Sequence, residues 1–417
     1  MSIDTSSAEK KLLVIGYVWP EPNSSAAGKH MMSLLAFFSA SGYVITYASP
    51  ALRSDHKADL AALHYQEVEI ALNCSSFDDF VVELSPDIVL FDRFMMEEQF
   101  GWRVAKACPN AIRILDTEDL HFLRDARHQA FKKQIPMNDS LLKNDMALRE
   151  IAAIYRCDLS LIISDYEMEI LQAQFNIPSA LLVYCPFIVE QPAESPSLTF
   201  EQRAHFVSIG NFRHAPNWDA VLYLKNTIWP LIRTQLPEAE LHVYGAYPPP
   251  KATQLHAPKQ GFFVDGWVDD ALSMLSQARV CLAPLRFGAG LKGKLADAML
   301  CKTPSVTSTI GSQGMVGEMD WPGAIEDDPS AFADQAVKLY VDQNSWQQAS
   351  LRAQPLLDTR FNADAILMRL AHSISDISEN LSQHRLANFT GMMLQHHFHK
   401  STQYMSQWIE AKNARKT

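Results

Sequence analysis

What the chain lacks narrows it first. It has six cysteines in 417 residues, scattered at positions 74, 108, 157, 185, 281 and 301. No pair shows C-x-x-C spacing, so neither a disulfide framework nor a cysteine-based zinc site is expected, and a reducing cytoplasm fits. No window approaches 18 uninterrupted apolar residues, which argues against a membrane span. The first ten residues are polar and lack the apolar run of a signal peptide. Excess positive charge is missing too: the formal net charge is −11, which excludes a general nucleic-acid binder. Internal repeats and low-complexity runs are absent.

What is present reads as a folded α/β protein. Hydrophobic content is 47% and charged content 20%, and the length suits two domains with an appendage. KLLVIGYV (11–18) is a short apolar run typical of a buried parallel strand. A turn-rich loop, WPEPNSSAAG, follows it. KHMMSLLAFFSASG then has helical spacing and ends on Gly42, and YVITYASP reads as the next strand, completing a βαβ unit. SPDIVLFD, AIRILDTED, LSLIISD and SALLVYCP continue the series, with a long charged helical stretch around 121–156. Residues 1–187 therefore read as one doubly wound domain.

The Pro- and Glu-rich stretch 188–202 has no periodicity and reads as a linker. Residues 203–358 form a second α/β series, with strands in RAHFVSIGNF, LHVYGA, FFVDGWV, RVCLAPL and PSVTST. Helices are expected over 217–235, 269–278, 293–301 and 330–352. From 359 to 417 the chain reads as helix. Its last part, 383–417, carries five Lys and Arg against one Glu, with many Met and aromatic residues. Such a helix either packs its apolar stripe on the body or makes peripheral contact with an anionic membrane face.

The segment FGAGLKGK (287–294) matches three patterns by letter. A P-loop requires Ser or Thr after its Gly-Lys pair to ligate magnesium, and Leu295 stands there. A dinucleotide fingerprint should open its domain and be followed about 20 residues later by an acid for the ribose. This loop instead follows the fourth strand of its domain, and the first acid in the downstream segment is Glu318. The third reading is a cradle for the diphosphate of a sugar nucleotide. Glycines let backbone amides approach an anion, the following helix start adds partial positive charge, and Lys292 adds a full one.

In context, PLRFGAGLKGKLADAMLCKTPSVTSTIGSQGM (284–315) resembles the donor-site segment of family 4 (group 1) glycosyltransferases, in its GaGiKgK form. Residues 205–246 and 262–285 resemble the earlier parts of the same domain, so the likeness spans nearly all of 205–315. It implies a GT-B architecture: two Rossmann-like domains facing a cleft, with the last helices crossing back to the N-terminal domain. It further implies retaining sugar transfer from a nucleotide diphosphate sugar, as substrate rather than cofactor, to a saccharide, lipid-linked or protein acceptor, with no obligatory metal. Asp269–Asp270 and Asp327–Asp328 are then helix-start acids. By position, Asp297 takes the place of the family's ribose-binding glutamate. Gly290, Leu291, Lys292 and Gly293 take the phosphate-contacting places, and Gly28 approaches the diphosphate from across the cleft. Two departures stand out. Ala289 replaces the family's first glutamate, and Asn211 and Pro216 replace its usual arginine and lysine; Arg213, with Arg286 and Lys292, is the candidate replacement charge.

Functional residues of an α/β cleft lie past the carboxyl ends of its strands. FDRFMMEE (91–98) and LDTEDLHFLRDARH (115–128) concentrate polar groups there. His121, with a pKa near working pH, is the candidate to orient or deprotonate an acceptor hydroxyl, with Asp119 and Arg124 beside it. The same acids can instead cap and pair along a charged helix. The trio His396, His397 and His399 reads as exposed helix decoration. The function expected from the sequence is a glycosyltransferase of glycan or cell-surface polysaccharide synthesis. The alternatives are a non-catalytic nucleotide-binding relative and a nucleotide-sugar 2-epimerase.

Overall fold

The computed structural model of the chain describes residues 9–189 and 198–414, and of residues 397–400 the backbone alone. The middle of the expected linker, the side chains of His397 and His399, and the final Arg415 and Lys416 lie outside the described residues.

The first sheet has seven parallel strands: β1 (Lys10–Ile15), β2 (Tyr43–Ser49), β3 (Gln66–Glu69), β4 (Ile88–Asp92), β5 (Ile112–Asp116), β6 (Leu159–Ile162) and β7 (Leu182–Tyr184). Their order is β3-β2-β1-β4-β5-β6-β7. The unbroken apolar run of β1 reflects helical cover on both sheet faces. Leu13 and Ile15 join one core and Leu12 and Val14 the other, all fully buried. β3, with sequence QEVE, has no apolar pattern to betray it; it is a polar edge strand.

The second sheet holds β8 (Ala204–Ile209), β9 (Leu241–Tyr244), β10 (Phe262–Gly266), β11 (Ala278–Ala283), β12 (Ser305–Thr307) and β13 (Gly323–Ile325), in the order β10-β9-β8-β11-β12-β13. The charged stretch expected around 121–156 is three helices, His121–Lys133, Asp139–Leu142 and Asp145–Arg156, with Asn138 and Asn144 capping the second and third. The helix expected over 217–235 runs from Ala215 to Gln235 with a π-helical turn at Leu224–Ile228. Pro230 just beyond has no N–H to continue regular α-helical bonding.

Each sheet reverses its winding beside its first strand, between β1 and β4 and between β8 and β11. Open α/β sheets bind ligands at such crevices, outside the strands' carboxyl ends.

The chain closes with two long helices, Ala363–Ala387 and Phe389–Ala414, which return to the first domain. Ile366, Leu370, Ile374 and Ile377 enter its core. Arg385 grips Asp158 through two bonds of 2.7 Å, and Asn388 Nδ2 donates to Tyr155 O at 2.7 Å. Among the described residues, no helix is long and apolar enough to cross a membrane.

Candidate active site between the two domains

A cavity of about 810 Å³ lies where the two crevices face each other. On the first-domain side, β1 leads into a turn and then helix Ala26–Ala40, whose N-cap Ser25 accepts from Gly28 N at 3.0 Å. The first-turn amides of Ala26 and Ala27 have no intrahelical acceptor, and both residues line the cavity. Gly28 does not line it, contrary to the expectation for that glycine. A Cβ at Gly28 would come 2.4 Å from Glu21 O, so the glycine serves the close approach of loop to helix and leaves the exposed amides to its neighbours.

On the second-domain side, β11 leads through the glycine loop into helix Gly293–Leu300. Gly290, at φ +62°, and Gly293 both line the cavity, as does Leu291. A Cβ on Gly293 would sit 2.5 Å from Ala26 Cβ. Two helix starts therefore nearly touch, and their partial positive charges converge on the same space.

The loop's cations differ in placement. Lys292 Nζ donates to Ala289 O at 3.1 Å and Gly290 O at 2.5 Å, and burial, with Arg127 nearby, pushes its pKa down to about 8. Lys294 Nζ donates to Asn217 Oδ1 at 2.9 Å, and burial pushes it likewise to about 8. Arg213 lines the cavity with its guanidinium 3.5 Å from the Tyr247 ring centroid. Arg286 does not line it. That guanidinium is paired with Asp219 at 2.9 and 2.6 Å and flanked by the Phe131 and Tyr223 rings, so its charge is already satisfied elsewhere. Asp297 Oδ1 accepts from Lys29 Nζ at 2.8 Å; burial raises this carboxyl's pKa and Lys29 partly offsets the rise.

Asp119, His121 and Arg124 all line the opposite wall. Burial alone would raise the Asp119 pKa, but the paired Arg124 guanidinium, with His121 and His214, holds it well below the usual carboxylate range. His121 is buried, with Nδ1 3.1 Å from Asp119 O. Donation to that carbonyl places the neutral ring's proton on Nδ1 and leaves Nε2 as the basic nitrogen. The edge of this ring system abuts Phe94 at 5.5 Å between centroids.

Several residues escaped the sequence reading. Lys29, which meets Asp297, directly follows the glycine that was singled out. His214 sits beside Arg213 and opens onto the cavity; desolvation by the surrounding walls and the Arg124 charge lower its pKa to about 4. Glu118, by contrast, belongs to the polar cluster that the sequence places at 115–128; it is held at φ +60°, and burial with the neighbouring Asp116 raises its carboxyl well above normal. Glu167 had no local signal at all. Its Oε1 accepts from Gly290 N at 2.8 Å and Leu120 N at 3.2 Å, joining the domains, and burial, then Asp119, raises its pKa to about 7. Further links hold the cleft together: Arg127 Nη1 donates to Gly288 O at 2.8 Å, and His128 stacks on Phe287 at 4.4 Å.

The acid pairs read as helix-start acids are engaged locally. Asp270 and Asp328 cap helices, Asp269 accepts from Trp267 Nε1 at 2.7 Å, and Asp327 accepts from Thr309 N at 2.9 Å.

Residues 203–342 match the family profile described as Glycosyl transferases group 1, so the second domain is a group 1 glycosyltransferase domain. No curated protein sequence matches the chain. Its fold is that of solved GT-B structures. Anabaena HepE in complex with UDP and glucose aligns with a TM-score of 0.64 at 12% identity, over 88% of this chain and 99% of that one. Sucrose-phosphate synthase from Thermosynechococcus elongatus gives 0.63 at 14% identity, over 88% and 99%. S. aureus TarM in complex with UDP gives 0.57 at 13% identity over 71% of this chain, which spans 57% of that longer protein.

Proposed function

We propose that this chain, with its group 1 glycosyltransferase domain, is a retaining enzyme that moves a sugar from a nucleotide diphosphate sugar to an acceptor held by the first domain. The observation that carries the reading is the meeting of two helix starts, at Ala26 and Gly293, over one cavity. A departing nucleoside diphosphate is a dianion, and fixed amide dipoles with Lys292, Lys294 and Arg213 supply the stabilisation its developing charge needs. That positive set removes the need for a bound metal at the leaving group. Asp297 binds the ribose hydroxyls once Lys29 shares or releases it. His121 Nε2 orients the acceptor hydroxyl, with Asp119 and Arg124 fixing the ring's surroundings. UDP is the first nucleotide to test, because HepE and TarM were solved with it.

Exposed Phe389, Met393, Tyr404, Met405 and Trp408 on the last helix support peripheral membrane contact, which suits a lipid-linked acceptor at the cytoplasmic face. A binding-only relative is the second reading, favoured by Ala289, Asn211 and Pro216 at places where the family carries charge. Calorimetry with UDP, GDP, ADP and CDP, followed by release of free diphosphate from the matching sugar nucleotides, separates the two. Slow hydrolysis without acceptor supports the transferase. Binding without release supports the second reading, and no nucleotide binding sinks both.

A further inference from the structure

At the opposite end of the second sheet from the cleft, three side chains converge with no place in the proposed transfer. His205 lies on β8, Glu240 immediately precedes β9, and His242 lies on β9. Phe206 pairs with Leu241 in the ladder, so His205 stands opposite Glu240. Glu240 and His242, two apart, share a sheet face. His205 Nδ1 is 3.0 Å from Glu240 Oε2, and His242 Nε2 is 3.7 Å from the same oxygen. The three ligand atoms all lie within 4.8 Å of one another.

The hydrogen bonds around His242 specify what is missing. Asp265 Oδ2 lies 2.8 Å from His242 Nδ1, so the ring donates there and turns the lone pair of Nε2 toward Glu240. Phe263 stacks on the ring at 4.8 Å and 6°, fixing its plane. Nε2 is buried and has no hydrogen-bond partner. With Nδ1 as the donor, Nε2 of the neutral ring is an acceptor, which a carboxylate oxygen cannot satisfy. His205 occupies φ +61°, rare for a residue with a Cβ, and its ring centroid stands 4.9 Å from that of His242. Arg279, which also faces His205, is engaged by the Phe200 and Tyr340 rings at 4.3 and 4.9 Å.

We infer that His205, Glu240 and His242 form a binding site for a divalent transition-metal ion of the zinc type, with Asp265 orienting His242. Two imidazoles and a carboxylate are ligands that zinc prefers, with water in the fourth place. Tetrahedral coordination at zinc–ligand lengths near 2.0–2.1 Å separates ligand atoms by about 3.3 Å, between the 3.0 and 3.7 Å of the two histidine–glutamate distances here. The cysteine pattern gave no hint of this site, since its ligands are histidine and glutamate on neighbouring strands. None of the four residues lines the cavity between the domains. The ion would clip the starts of two adjacent strands and take no part in sugar transfer.

The test is calorimetric titration of Zn²⁺ into the untagged, metal-stripped full chain at pH 7.5, with thermal unfolding in parallel. One saturable site is expected, weakened at least tenfold in His242→Ala and in the more exposed His205→Ala, and about tenfold in Asp265→Asn. Zinc should raise the unfolding temperature of the native chain and leave that of His205→Ala unchanged. No saturable binding, or equal binding by His205→Ala and the native chain, overturns the proposal. Nucleotide binding by these variants should match the native chain, which keeps this result separate from the function of the cleft.

Discussion

Lys29 Nζ lies 2.8 Å from Asp297 Oδ1, an ion pair that joins the first helix of one domain to the helix after the glycine loop of the other. Burial raises the Asp297 carboxyl and Lys29 pulls it back. Lys29→Met removes that compensation, so the folded chain should hold the Asp297 proton to higher pH. Stability should then fall as pH rises through this range, by about 1 kcal/mol at pH 7 after allowing for the solvent exposure of Lys29. Denaturant unfolding at pH 5 and pH 7 checks this, and Lys29→Met with Asp297→Asn should restore the loss. An unchanged pH dependence would falsify the pairing.

Gly293 has no room for a side chain with the domains this close, because its Cβ would meet Ala26. Alanine is nevertheless the better helix former, by about 1 kcal/mol. Gly293→Ala should therefore leave the second domain at least as stable while holding the cleft ajar. Turnover of a sugar nucleotide should drop at least tenfold, against a smaller change in UDP affinity. Native turnover in this variant would mean that contact between the two helix starts is dispensable.

Glu167 carries a pKa raised to about 7, above its ordinary value near 4.5. A raised folded-state pKa means the native chain binds the proton more tightly, so stability declines between about pH 4.5 and 7. Glu167→Gln keeps an acceptor for the Gly290 and Leu120 amides without the charge. It should raise stability at pH 8 by roughly 1–3 kcal/mol and change little at pH 4.5. Melting curves across this interval decide the matter; a uniform loss at every pH would show that the ionised form is required.

Lys292 and Lys294 are both lowered to about 8. Diphosphate prefers the ammonium forms, so UDP affinity should weaken as pH rises from 7 to 9. Lys292→Ala should cost about 1–3 kcal/mol of binding at pH 7, the range of a charge-assisted hydrogen bond. It should also flatten the pH profile. Calorimetry at pH 7, 8 and 9 tests both parts, and full affinity in the variant would leave Lys292 a loop brace for Ala289 and Gly290 only.

The readable parts of this protein were those in which a residue's role is set by its neighbours in the chain. Apolar runs such as that of β1 mark doubly covered strands because burial on both faces demands apolar side chains at every position. That the glycine loop and Asp297 line one cavity was legible because they lie within a dozen residues, on a single strand–loop–helix turn. Edge strands β3 and β13 were not, since QEVE is polar and GAI carries a single large apolar residue. Gly28 was singled out by its position in the family pattern and Arg286 by its charge, yet Gly28 answers a local packing contact and Arg286 is paired with Asp219.

The sequence by itself determined two α/β domains, their winding and a loop suited to an anion. Tertiary structure alone decided what that loop meets. Glu167 lies 123 residues from Gly290 and Lys29 lies 268 residues from Asp297, and nothing local to either residue encodes its partner. The same holds for His205 and His242, which only strand pairing makes neighbours. Coulombic and hydrogen-bond energies depend on distance in space and on burial, and both are fixed when the sheets pack.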